Sequence, residues 1–192
     1  MELTKNGLKD RESWKNAGIV LPGYDVEAAS KKAKEAPVWA HFGIGNIFRV
    51  FIGGIADKLL EDGVLDRGIT CIETFDYDIV DQIYAPYDNL GLNVILHGNG
   101  SREYKVLGSL AEALKAQSSD SAQWNRLKNV FSSKSLQLVS FTITEKGYAL
   151  HRADGTWLPY VQKDIQNGPD SPTGAMAVLT AMLYERYKAG KY

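Results

Sequence analysis

Two glycines one residue apart, Gly43 and Gly45, with an arginine four places on at Arg49, are the residues whose types and spacing suggest chemistry. They lie in the stretch His41–Gly54, HFGIGNIFRVFIGG. A G-x-G-x-x-G turn between a strand and a helix can hold a diphosphate. The first glycine makes the tight turn, the second lets the phosphates approach the backbone, and the helix N–H groups receive the charge. Here the third glycine is replaced by Phe48. The close helix–strand packing it normally allows must come from elsewhere, and Gly53, one turn later, is the candidate. Asn46 and Ile47 complete the turn, and Arg49 falls in the first helical turn, where a guanidinium can meet a phosphate with two parallel N–H bonds. Glu73 stands 28 residues beyond Gly45 at the end of a second apolar run, GITCIET. An acid there accepts hydrogen bonds from an adenosine ribose and repels a 2′-phosphate, which favours NAD over NADP. Asp76 is the fallback. The alternative at this point is a purely structural glycine turn, with Arg49 in an ion pair and Glu73 a solvated acid.

Other chemistry is sparse. His41, His97 and His151 form no ligand spacing, and His41, on a presumed buried strand, reads as a satisfied core histidine. Cys71 is the only cysteine, so it reads as a small buried hydrophobe and not as part of a disulfide or cysteine-rich metal site. No nucleophile elbow or P-loop is present. The 22 basic and 23 acidic residues leave a net charge of −1 with no basic block, which disfavours nucleic acid as a partner. No apolar run approaches the roughly 20 residues needed to cross a bilayer, and the polar first residues lack the apolar core of a signal peptide. These features predict a cytoplasmic protein, with no membrane, nucleic-acid or metal partner.

The elements that would position the glycine turn are legible as patterns. YDVEAASKKAKEAP predicts a helix with Asp25 as N-cap and Pro37 ending it. VWAHF predicts a buried strand. Ile47, Val50, Phe51, Ile55, Leu59 and Leu60 recur at the 3.6-residue period of a helix stopped near Gly63. With GITCIET as a second strand these make a βαβ unit in about 36 residues, hence a parallel pair with a right-handed crossover. DYDIVDQIY predicts a short helix. The two β-type runs around Gly98-Asn99-Gly100 predict a hairpin and not a second phosphate loop. Ser109 and Glu112 in SLAE have capping-box spacing, predicting a helix to about Gln117. SAQWNRLKNVF predicts a helix, LQLVSFTIT (136–144) a central strand, and the segment after Pro172 a helix to about Lys188 with Gly190 beyond it. The class is α/β: a Rossmann-like, mainly parallel sheet flanked by helices, with an inserted β-hairpin. Residues 1–37 read as an N-terminal helical extension and 38–192 as the dinucleotide-binding domain.

Taken together, GIGNIFRVFIG (43–53), SFTITEKGY (140–148) and DSPTGAMAVLTAMLYERYKAG resemble, in that order, motifs of the polyol-specific long-chain dehydrogenases. In that family the third-glycine position varies and an arginine falls where Arg49 stands. The resemblance runs from about Val38 to Gly190 and implies an NAD-dependent oxidoreductase. Its chemistry is hydride transfer between nicotinamide and a secondary-alcohol carbon of a sugar acid or polyol. The length of the N-terminal extension favours the branch that interconverts D-mannonate and D-fructuronate. Gly43, Gly45, Asn46, Ile47 and Arg49 would hold the diphosphate and Glu73 the ribose, with Thr144 and Glu145 near the nicotinamide or substrate edge. The family's S-x-D-N segment and catalytic lysine would lie beyond Tyr192, so no catalytic residue is expected here, and the partner would be a missing C-terminal domain. Competing expectations are a stand-alone NAD(H)-binding module without turnover and a mannitol- or tagaturonate-type enzyme of the same family.

Overall fold

The computed structural model describes residues 1–191. A four-stranded parallel sheet carries the fold, in the order β6-β3-β2-β7. Its strands are β2 (Trp39–Phe42), β3 (Ile69–Glu73), β6 (Leu110–Lys115) and β7 (Leu138–Phe141). Every residue of β3 is buried, as expected for a strand covered on both faces. One face packs on α4 (Ser121–Ser132) and α7 (Ala175–Lys188) through Phe42, Ile72, Leu127, Phe131 and Met182. The other is covered by a π-helical turn, Phe48–Ile52, that runs straight into α3 (Gly53–Glu61), and by a second π-helical turn, Val80–Tyr84. α5 (Glu145–Tyr148) and α6 (Pro159–Asn167) connect β7 to α7.

The predicted hairpin forms as β4 (Gly91–Leu96) and β5 (Arg102–Leu107), antiparallel. It is extended by β1 (Ile19–Val20), which pairs parallel with β5. Around it the N-terminal residues form α1 (Arg11–Asn16) and α2 (Val26–Glu35), with Asp25 accepting from the Ala28 N–H as N-cap. Trp14 packs with Leu90 and Val106 under this small sheet.

Three expectations are corrected, and one helix was not anticipated. The SLAE segment is the strand β6, with no helix there. A free edge of β3 beside a segment whose Leu110, Ala111 and Leu114 are buried outweighs local helix propensity. The two capping-box residues have other partners. Ser109 Oγ donates to the Gly53 carbonyl at 2.7 Å, and Glu112 accepts from Arg126 Nε at 3.0 Å and from Thr70 Oγ1 at 3.1 Å. LQLVSFTIT holds only four strand residues, and β7 is an outer strand of the described sheet. The helix α6 had no counterpart in the pattern reading. Lastly, most of the apolar series in Ile47–Ile55 points outward: Ile47, Val50, Phe51 and Ile55 are exposed. The inward face is Phe48, Ile52, Ala56 and Leu60.

The two sheets are joined through one buried carboxylate. Asp57, fully buried on α3, accepts from Tyr24 Oη at 2.6 Å and from the Gly108 N–H at 3.0 Å. Lys105 Nζ of β5 lies 2.8 Å from its other oxygen. Burial and the charge of Asp57 push the Tyr24 hydroxyl well above its ordinary pKa, so it remains a donor.

Candidate functional site

In an open α/β sheet, ligands bind outside the carboxyl ends of the strands where the strand order reverses. That point here lies between β2 and β7, because the chain runs from β2 through β3 to β6 on one side and then crosses back to β7 on the other. Gly43 and Gly45 follow β2, Thr144 and Glu145 follow β7, and Glu73 ends β3. The structure therefore brings the predicted residues to one end of the sheet. Gly43 has φ +83°, and a Cβ there would lie 2.4 Å from the Thr142 carbonyl, so only glycine fits. Gly45 is exposed with nothing within 4 Å of a Cβ position, which leaves its backbone open to a ligand.

Phe48 has an occupation of its own. It is fully buried, and its ring stacks on His41 with centroids 4.1 Å apart and planes 16° from parallel. His41 stands in a directional chain of hydrogen bonds. Trp39 Nε1 donates to Ser140 Oγ at 2.7 Å, and Ser140 Oγ lies 2.7 Å from His41 Nδ1. His41 Nε2 lies 2.9 Å from Thr142 Oγ1, whose hydroxyl donates to the Gly43 carbonyl at 2.6 Å. With each hydroxyl hydrogen so committed, His41 is the neutral Nε2–H tautomer. The serine and first threonine of SFTIT thus fix a core histidine and the first glycine of the turn. Gly53 supplies the close approach, its Cβ position 3.3 Å from Leu110 Cδ2.

Burial lowers the His41 pKa from 6.5 to about 4. The unfolded chain binds the proton more readily, so this contribution is complete above pH 6.5 and is lost as pH falls towards 4. Urea denaturation from pH 7 to 4.5 should show stability falling with pH, and the fall should be shallower in His41→Gln.

Arg49 is held over the turn. Its Nη2 donates to Asn46 Oδ1, and its guanidinium carbon lies 5.8 Å from the centroid of the Tyr84 ring. Tyr84 is buried and donates its hydroxyl to the Ile44 carbonyl at 2.8 Å, anchoring the turn from the far side. No local pattern in the sequence marks Tyr84 for this task. Arg49 Nη1 is buried and has no hydrogen-bond partner among the described residues. An unpaired buried guanidinium nitrogen beside a glycine turn is a strong hydrogen-bond donor for an anion.

Glu73 is turned inward, 8% exposed. Its Oε1 accepts from the N–H groups of Thr74 (2.9 Å), Phe75 (3.0 Å) and Asp76 (3.4 Å). Its Oε2 takes a longer bond, 3.3 Å, from the Ile44 N–H of the glycine turn, so this oxygen keeps acceptor capacity. Thr144 and Glu145 are exposed at the start of α5. Cys71 is buried, and burial raises its thiol pKa well above the ordinary value. His97 is half-exposed, 3.6 Å from Glu103.

A cavity of about 560 Å³ lies away from this site between α6 and α7, lined by Trp157, Tyr160, Ile165 and Tyr184 among others. The Asp164 carboxylate at its wall is spent on the Thr173 N–H and hydroxyl and the Gly174 N–H. Among the described residues, no group of three or more His, Cys, Asp or Glu could hold a metal ion. No helix among them is long and apolar enough to cross a membrane.

The strand order β6-β3-β2-β7 is the 3-2-1-4 part of a doubly wound sheet, and with a glycine turn after its first strand it defines a Rossmann-type domain. No family model matches the chain. It is 44% identical over 191 residues to the D-mannonate oxidoreductase of Thermotoga maritima, covering all of this chain and 35% of that protein. The fold matches mannitol 2-dehydrogenase of Pseudomonas fluorescens, solved with NAD and D-mannitol. That match has a TM-score of 0.77 at 27% identity, over all of this chain and 37% of the other. A D-sorbitol dehydrogenase in substrate-free form matches with a TM-score of 0.74 at 24% identity, over 93% of this chain and 36% of the other. Over its whole length the chain is similar to these sugar-acid and polyol oxidoreductases, and it spans about a third of the length of the curated relatives it matches. The similarity also includes the first 36 residues, which the motifs alone did not reach.

Proposed function

We propose that this chain is the NAD-binding part of an oxidoreductase that moves a hydride between nicotinamide and a secondary-alcohol carbon. The substrate is a sugar acid or polyol, with the D-mannonate/D-fructuronate pair favoured by the 44% identical relative. The observation that carries the reading is Arg49, its buried Nη1 unpaired at the mouth of a turn where Gly45 leaves the backbone bare. The residues present fit a dinucleotide. Gly43, Gly45, Asn46, Ile47 and Arg49 hold the diphosphate, Glu73 offers Oε2 to the adenosine ribose, and Thr144 and Glu145 border the nicotinamide end. NAD, when bound, supplies the hydride acceptor, and these residues bind and orient it. The general base belongs to a part of the enzyme outside these 192 residues. Residues 38–192 form the cofactor domain, and 1–37 brace it through β1 and Tyr24. The exposed stripe Ile47, Val50, Phe51 and Ile55 suits burial against the rest of such an enzyme. The lone buried cysteine suits a reducing, cytoplasmic setting.

Arg49→Met tests the assignment. A charge-assisted hydrogen bond contributes about 1.5–3 kcal/mol, so NADH and ADP should each bind roughly 10- to 150-fold more weakly. Adenosine, which has no phosphate, should bind the variant as it binds the wild type. Equal losses for adenosine would place Arg49 outside the phosphate site.

A further inference from the structure

We propose that Phe75 is the platform on which the adenine ring of the dinucleotide stacks, an assignment that rests on the cofactor reading above. Phe75 is 93% exposed, the most exposed of the large apolar side chains among the described residues. Leaving a phenyl ring in water forfeits its burial, so a ring offered from a fixed backbone beside the ribose position suits an aromatic occupant. The ring does not hang from a loose loop. Glu73 Oε1 accepts from the N–H groups of Thr74, Phe75 and Asp76 together, which fixes the backbone of the turn. The same carboxylate reaches the Ile44 N–H through Oε2, tying the turn that carries Phe75 to the turn that would carry the diphosphate. Tyr77 Oη donates to the Ala116 carbonyl at 3.1 Å and pins the far side against the end of β6. A ribose beside Glu73 leaves its base one glycosidic bond away, beside residue 75.

The surroundings favour a small neutral heteroaromatic ring over a protein surface. Thr74 is buried, while the exposed neighbours Asp76 and Asp78 are acids. One apolar ring among carboxylates is a poor protein-docking patch, whereas a purine needs only one face to stack on. With the backbone of the turn held before binding, only the Phe75 side chain has to be ordered when the base arrives.

Calorimetry with AMP, NADH and nicotinamide mononucleotide tests this on the intact chain. Stacking losses of the size seen on alanine substitution predict that Phe75→Ala binds AMP and NADH about 5- to 150-fold more weakly. Nicotinamide mononucleotide should bind unchanged, and Phe75→Tyr should retain wild-type affinity for all three. Because the side chain is exposed, the unfolding midpoint of both variants should match the wild type. Unchanged AMP affinity in Phe75→Ala, with the wild type binding AMP, overturns the platform and leaves the cofactor reading standing. A wild-type chain that binds neither AMP nor NADH overturns both.

Discussion

Replacing Phe48 with glycine, which restores the third glycine of the general fingerprint, is expected to destabilise the domain by about 4–6 kcal/mol. Removing a buried phenylalanine side chain costs about 3–5 kcal/mol through lost burial and the cavity left behind. Glycine in place of alanine adds about 1 kcal/mol inside a helix. The cavity would open directly against the His41 ring, which loses its stacking partner 4.1 Å away. Since His41 is the middle of the hydrogen-bond chain ending on the Gly43 carbonyl, the glycine turn should loosen with it. Urea denaturation measures the loss. Phe48→Leu, which keeps most of the volume, should cost much less, about 1–1.5 kcal/mol. If Phe48→Gly were as stable as the wild type, the Phe48–His41 stack would not be what holds the glycine turn in place.

Asp57→Ala is expected to cost about 3–5 kcal/mol, the range for removing one partner of a buried ion pair. Lys105 would keep a partly buried charge with its partner gone, and the Tyr24 hydroxyl and Gly108 N–H would lose their acceptor. These three groups belong to β5, to the segment before α2 and to the link into β6. The N-terminal residues should therefore become sensitive to limited proteolysis together with the hairpin. Asp57→Asn, which can still accept from Tyr24, should lie between the two in urea. Wild-type stability and protease resistance in Asp57→Ala would show that the N-terminal residues are held by other contacts.

What could be read from the sequence was what neighbouring residues decide. Asp25 before VEAASKK, glycines at Gly43 and Gly45, and two β-type runs around Gly98-Asn99-Gly100 each act over a few residues, and each formed as expected. SLAE shows the limit. Its capping-box spacing is a real local signal, but Ser109 and Glu112 found partners at Gly53, Thr70 and Arg126, distant in the chain. The apolar series from Ile47 to Ile55 revealed a helix, yet not which side faces the core, because only Phe48 finds His41 across from it. In the proposed site, the glycines, Arg49 and Glu73 were legible from spacing. Tyr84, Thr142 and Phe75 were not, since their places depend on contacts made only once β2, β3 and β7 are side by side.

The most direct measurement of the central claim is calorimetric titration of the wild-type chain with NADH and, in parallel, NADPH. One molecule of NADH should bind per chain, and NADPH more weakly, because Glu73, Asp76 and Asp78 crowd negative charge near the ribose end. No heat of binding with NADH at millimolar concentration would contradict it.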